Sequence, residues 1–178
     1  YPNDAEMDKS LRLWFEKHLR AMSEPSIRSA RGGCTRACRL LILPTSFHPV
    51  ACRAELVDGK SLRVAWTVLD GEGGYEPGEI MEQSSKLANR EGWTKLIEVA
   101  DRERIWETRG LTDKDFMILD GTMFVLEIRD GHRYWVAARA SVDRDDAFSR
   151  VAGELLRFSK GLRRIAPTRR ATSGVTAK

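Results

Sequence analysis

Three kinds of side chain in this sequence could do chemistry: the cysteines, the histidines and a cluster of carboxylates. The cysteines are Cys34, Cys38 and Cys52. A structural zinc ion takes about four Cys or His ligands. Cys34 and Cys38 make an acceptable half-site and His48 lies near Cys52, but no second closely spaced pair follows. No metal site is expected. A disulfide suits these residues better. Cys38 and Cys52 fall on adjacent predicted strands at similar distances from the turn between them. A Cys38–Cys52 bridge is therefore the expected pairing, with Cys34 as the alternative partner for Cys52. A bridge implies an oxidising compartment, whereas three reduced thiols suit the cytosol.

Nucleophilic catalysis finds little support. There is no Gly-x-Ser-x-Gly elbow, and His18, His48 and His132 are scattered. His18 lies on the apolar stripe of a helix, as a packed core residue would. A Cys52–His48 pair has nothing local to activate a thiolate.

Carboxylates are more promising. Asp70, Glu72, Glu76 and Glu79 surround a segment with four glycines and a proline within nine residues. Such a loop could bind a cation or work as acid and base, although its spacing departs from the EF-hand rule and Asp-Gly and Gly-Gly are ordinary turn chemistry. Two uses follow. A binding loop would present Glu72, Tyr75 and Glu76 to a partner. A carboxylate hydrolase or lyase would need Asp70, Asp120 and Glu127 to converge on one cleft. Glu127 is the oddest of these residues, a carboxylate inside an otherwise apolar strand. It needs a partner to offset its desolvation, which Arg129, Arg133 or Arg139 could supply. Gly71-x-Gly73-Gly74 lacks the Gly-Lys-Ser/Thr ending of a phosphate loop. No cofactor is implied.

The elements that must position these residues are legible from periodicity. A helix is expected from Asp4, as N-cap, to Ser23, with Leu11, Trp14, Phe15, His18 and Met22 on one face. A small, basic linker precedes the change of period. Cys38–Leu43, Phe47–Leu56 and Ser61–Leu69 read as strands, the last two joined by an Asp58-Gly59 turn. Asn89–Arg102 reads as a helix with Trp93, Leu96, Ile97 and Ala100 buried. Thr122–Arg129 and His132–Ala140 form the clearest hairpin, with Asp130-Gly131 suited to a type I′ turn. Both faces of that hairpin are largely apolar, so it should be covered on both sides. A last helix begins near Asp145 or Asp146.

Helix, three strands, helix, two strands, helix implies an α+β fold: an antiparallel sheet of about five strands with N-terminal, middle and C-terminal helices packed on it. Residues 1–33 are expected to be the N-terminal helix and linker, 34–164 a single α+β domain, and 165–178 a disordered basic tail.

Charge is distributed unevenly around a net +4. No Lys or Arg interrupts the acidic stretch between Arg63 and Lys86, and no acid follows Glu154. The basic end could favour nucleic acid or anionic lipid. Nucleic-acid binding is not the expectation, because the five tryptophans fall mainly on predicted core faces and not in a basic groove. No apolar run approaches the roughly 20 residues that cross a bilayer. The first residue is Tyr1, not methionine, so removal of an upstream segment is expected, by a signal peptidase or in preparing the chain.

Several strings recur together: Phe47-His48-Pro49-Val50, Leu69-Asp70-Gly71 with Gly73-Gly74-Tyr75-x-Pro77-Gly78, Trp93, Trp106, Asp120-Gly121, Leu126-Glu127, Gly131 to Tyr134, and Arg139. In these the chain resembles a group of small bacterial proteins that share the Asp-Gly-x-Gly-Gly-Tyr-x-Pro-Gly segment and have no assigned activity. The resemblance covers Arg39 to Leu162. It departs at Phe124, where the group has tryptophan, and at Trp135, where histidine follows the tyrosine, so no Tyr-His chemistry is available here. The resemblance implies a periplasmic or secreted location, the cytoplasm being the alternative. The combined expectation is a non-enzymatic extracytoplasmic module that binds another protein, of the inhibitor or immunity type.

Overall fold

A computed structural model describes residues 5–28, 35–108, 121–140 and 145–160. The order along the chain is α1 (Ala5–Ala21), β1 (Arg36–Pro44), β2 (Val50–Val57), β3 (Ser61–Leu69), β4 (Ile80–Asn89), α2 (Glu91–Arg102), a single 3-10 turn (Ile105–Glu107), β5 (Thr122–Asp130), β6 (Arg133–Arg139) and α3 (Ala147–Phe158). The strands form one antiparallel sheet in the order β4-β3-β2-β1-β5-β6. The α+β class and the three helices are as the sequence implies. Asp4, Cys34, Asp120 and the tail 165–178 lie outside the described residues.

Strand alternation sorts the side chains onto two faces. One face carries Leu40, Leu62, Val64, Trp66, Leu126, Ile128 and Trp135, packed against Trp93 and Leu96 of α2 and Phe148, Val151 and Leu155 of α3. The other carries Leu41, Leu43, Ala51, Leu69, Val125 and Ala138 beneath Phe15 and Met22, at α1 and its end. The helices therefore flank the sheet on both sides, because the central strands are apolar on both faces. Gly92 lets α2 approach the sheet: a Cβ there would meet Leu62 Cδ2 at 2.8 Å. Asp146 caps α3, its carboxylate accepting from the Ser149 amide at 2.6 Å.

Three expectations change. The sheet has a sixth strand, β4, at its edge. Its burial alternates only between exposed and half-buried, so it carries no apolar signal. The β5–β6 turn residues are Gly131 and His132, between paired Asp130 and Arg133. Of these only Gly131 has positive φ, at 63°, which fits type II′ and not I′. The I′ requirement is met instead at Asp58-Gly59, with φ of 53° and 66°.

The Cys38–Cys52 bridge is also corrected. Cys38 and Cys52 are buried and are not joined by a disulfide. Register pairs Cys38 with Ala54 and Leu40 with Cys52, so the two cysteines are diagonal neighbours. Diagonal positions lie roughly 7–8 Å apart, beyond what a disulfide spans without backbone movement. Burial pushes the Cys38 thiol well above its ordinary pKa and Cys52 adds to the effect. Burial of this kind disfavours the thiolate, the nucleophilic form.

Candidate functional site

The glycine-rich loop follows β3 and folds back on itself. The Asp70, Gly71 and Glu72 amides donate to the carbonyls of Glu79, Pro77 and Glu76 at 3.0, 3.2 and 2.9 Å. The Asp70 carboxylate accepts from the Glu79 amide at 2.7 Å. The loop then docks on the β1–β2 connection, where Gly73 donates to Phe47 O at 3.0 Å and Gly74 to Thr45 O at 3.1 Å. From α1, the Trp14 indole donates to Gly73 O at 2.9 Å. His48 Nδ1 lies 3.2 Å from Gly71 O.

These contacts explain most of the string. A Cβ on Gly73 would sit 2.5 Å from Pro44 O, and one on Gly71 would collide with the backbone of Glu76 and Pro77. Gly78 takes φ 70° beside the Asp70 carboxylate. Asp70, Gly71, Gly73, Gly74 and Gly78 are thus used in closing the loop. The side chains of Glu72, Tyr75 and Glu76 are not: all three residues are exposed, Tyr75 at 59%. Glu76 makes one surface ion pair, with Lys17 at 3.0 Å. Phe47, read from the sequence as a strand residue, stands in the neighbouring connection at 69% exposure. An exposed phenylalanine whose own carbonyl fixes Gly73 is a candidate contact residue that alternation did not reveal.

Glu127 belongs elsewhere. Its Oε1 accepts from the Tyr134 hydroxyl at 2.8 Å, and its Oε2 from Arg39 Nη2. Arg39, 3% exposed, also reaches Glu24 at 3.3 Å and Pro25 O at 2.8 Å. Glu24 holds Arg53 at 2.9 Å; Arg53 holds Glu55, which takes Arg63 at 2.8 Å. Three carboxylates and three guanidiniums alternate beneath the segment that follows α1. Burial pulls the Arg39 pKa down, but the charges of Glu127 and Glu24 outweigh it and hold the guanidinium above its usual value. The partners considered from sequence are used differently. Arg129 Nε donates to Ile27 O at 2.6 Å, Arg133 turns to Asp101 at 2.6 Å, and Arg139 lies 5.6 Å from the Phe148 ring centre on the opposite face. The missed signal was Arg39, a single charge among the apolar residues 37–43 of β1, matching the single glutamate in β5.

A groove of about 560 Å³ opens above this network, with Phe15, Leu19, Val125, Val136 and Tyr134 in its walls. Its buried floor is already paired, Arg39 to Glu127 and Glu24.

The structure does not bring Asp70 and Glu127 together. Glu127 pairs across to Arg39, Arg53 and Ala65 in successive strands, and Asp70 lies beyond the end of β3. That is three strands across and five residues along, about 14 Å by about 16 Å. Asp120 is outside the described residues. Among the described residues no group of three or more His, Cys, Asp and Glu side chains could hold a metal ion. None of their helices is long and apolar enough to cross a membrane.

No family model matches this chain, and no curated protein matches it.

Proposed function

We propose that the chain is a non-enzymatic protein-binding module that meets its partner through the paired loops 45–49 and 70–79. One observation carries the reading: two exposed aromatics, Phe47 and Tyr75, stand with the exposed carboxylates of Glu72 and Glu76 on loops whose backbones are fixed by hydrogen bonds. Aromatic anchors on a rigid scaffold are what protein interfaces enrich, and a rigid loop loses little entropy on binding. Asp70, Glu72, Glu76 and Glu79, with no Lys or Arg between Arg63 and Lys86, call for a partner with a basic rim around an apolar hollow.

The partner is of the kind met by inhibitors and immunity proteins. A periplasmic or secreted setting rests on the family resemblance alone, since Cys38 and Cys52 form no bridge. The hydrolase or lyase reading requires Asp70 and Glu127 in one cleft, and β1 and β2 lie between β5, which carries Glu127, and β3, which Asp70 follows. The tail-binding reading concerns residues outside those described.

The test is capture of partners from a native extract by the immobilised protein, beside the triple variant Glu72→Ala, Tyr75→Ser, Glu76→Ala. The expected result is loss of the captured protein with the variant and weakening as salt rises. Full retention by a folded triple variant overturns the reading.

A further inference from the structure

β4 and β6 are the two edges of the sheet, and they differ. β6 is buried from Trp135 to Arg139 except at Val136. β4 is open: Met81 is 45% exposed and Leu87 68%. From Met81 to Asn89 it has no proline or glycine, and its one irregularity in pairing lies at the start, opposite Val68 and Leu69. A long, regular, open edge is a template for another strand, and proteins usually interrupt it.

The order of residues along β4 selects the strand. Glu82 and Lys86 point to the same face, and their neighbours across β3 are Val68 and Val64, so neither meets an opposite charge there. Glu82 has no ion pair among the described residues. Lys86 donates to the Lys160 carbonyl at 2.6 Å, which leaves two of its three N–H groups. We propose that β4 is a dimerisation edge that pairs antiparallel with β4 of a second copy, in a register centred on Ser84.

In that register Glu82 of each copy faces Lys86 of the other. On the opposite face Met81 meets Leu87 of the second copy, covering two of the three exposed apolar side chains of β4, the third being Ile80, and Gln83 meets Ser85. Every complementary pair occurs twice, as a two-fold interface requires. Residues of the same parity oppose each other, so outward amides meet outward carbonyls and each face of the sheet continues into the same face of its partner. Sliding by two residues in either direction sets Lys86 against Ile80 or Ser84 and strips Glu82 of its partner. The charges that would elsewhere guard an edge here specify one register.

The proposal is independent of the loop reading, since none of the residues substituted below lies in loops 45–49 or 70–79. Sedimentation equilibrium of the full chain is the experiment, with Glu82→Lys, Lys86→Glu and the double exchange. The wild type is expected to dimerise. Each single reversal opposes like charges at two symmetric positions and should weaken the dimer roughly tenfold or more, and the double exchange should restore it. In a Cys34→Ser background, Ser84→Cys should cross-link two copies on oxidation and Ser85→Cys should not, because only position 84 meets itself. A wild type that stays monomeric at every concentration overturns the proposal. So does a dimer that neither single reversal weakens.

Discussion

Two regions of this molecule are held by opposite means. From the segment after α1 to the β5–β6 turn, side chains do the fastening. Arg39 grips Glu127, Glu24 and the Pro25 carbonyl. Asp101 takes the Trp106 indole at 2.7 Å and Arg133 at 2.6 Å, while Arg133 also reaches Asp130 at 2.9 Å and stacks 4.3 Å from the Trp106 ring centre. At the other end, in loops 45–49 and 70–79, most of the fastening is by backbone amides and carbonyls bonding to each other, with glycines allowing the approach and the Trp14 indole and the Asp70 carboxylate adding to it. Where side chains fasten the fold they are used up. Where the backbone fastens it, the side chains are left to face solvent, and that end presents Phe47, Tyr75, Glu72 and Glu76.

The largest effect is expected where a side chain fastens and is buried. Arg39→Met leaves Glu127 without its ion-pair partner beside the core, with only the Tyr134 hydroxyl still donating to it, and leaves Glu24 with Arg53 alone. Removing one partner of a buried pair costs about 3–5 kcal/mol. Urea unfolding should show the unfolding free energy falling by that amount, seen as a lower midpoint with an unchanged slope. A loss under about 1 kcal/mol would mean that the network is dispensable and that the contrast between the two ends is false.

The backbone-held end should break at its glycines. Gly73→Ala sets a methyl 2.5 Å from Pro44 O and 2.6 Å from Leu43 C, neither of which is a flexible side-chain tip. Overpacking of this kind costs about 1–3 kcal/mol. The variant should also show faster amide exchange at Gly73 and Gly74, because their bonds to Phe47 and Thr45 are the ones displaced. Unchanged exchange there would place the strain elsewhere.

A smaller effect depends on pH. Partial burial pushes the Asp101 carboxyl up, but hydrogen bonds from Arg133 and Trp106 and the charge of Arg133 outweigh it, so its pKa lies below the usual carboxylate value. The folded value is thus lower than the unfolded one, about 3.9. Its contribution is complete above the unfolded value and is lost as pH falls through the folded one. Glu103, held down by its hydrogen bond from Arg150, acts in the same sense. Thermal unfolding followed from pH 6 to pH 3 should fall less steeply for Asp101→Asn than for the wild type. Parallel curves would remove Asp101 from the fastening.

What the sequence made legible follows the same division. The β5–β6 hairpin and the stripes of α2 and α3 were readable because a packed face imposes its period on the residues. β4 was not, because an edge strand with one face open need not alternate in polarity. The cysteine pairing was misjudged because register depends on the shape of the 45–49 connection, which no local pattern encodes. Asp70-Gly71 and Gly73-Gly74 read correctly as a loop, yet that Gly73 and Gly74 dock on Phe47 and Thr45 is a long-range fact. Glu127 stood out as an isolated charge, while its partner Arg39 lies 88 residues away in sequence and emerges only when β1 and β5 pair.

The smallest effect on stability should accompany the largest on binding. Phe47→Ser and Tyr75→Ser each remove an exposed ring that the fold does not use, and surface changes of this kind stay within about 0.5 kcal/mol. The same rings are the proposed anchors, and truncating an interface hot spot costs at least about 2 kcal/mol of binding, near thirtyfold in affinity. Paired unfolding and partner-capture measurements on the two variants separate the readings cleanly. Intact stability with lost capture means that the backbone-held end is the working surface. Lost stability in either variant means that the ring is part of the fold after all, and the division between the two ends fails at that residue. Intact stability with intact capture moves the interface to another part of the surface.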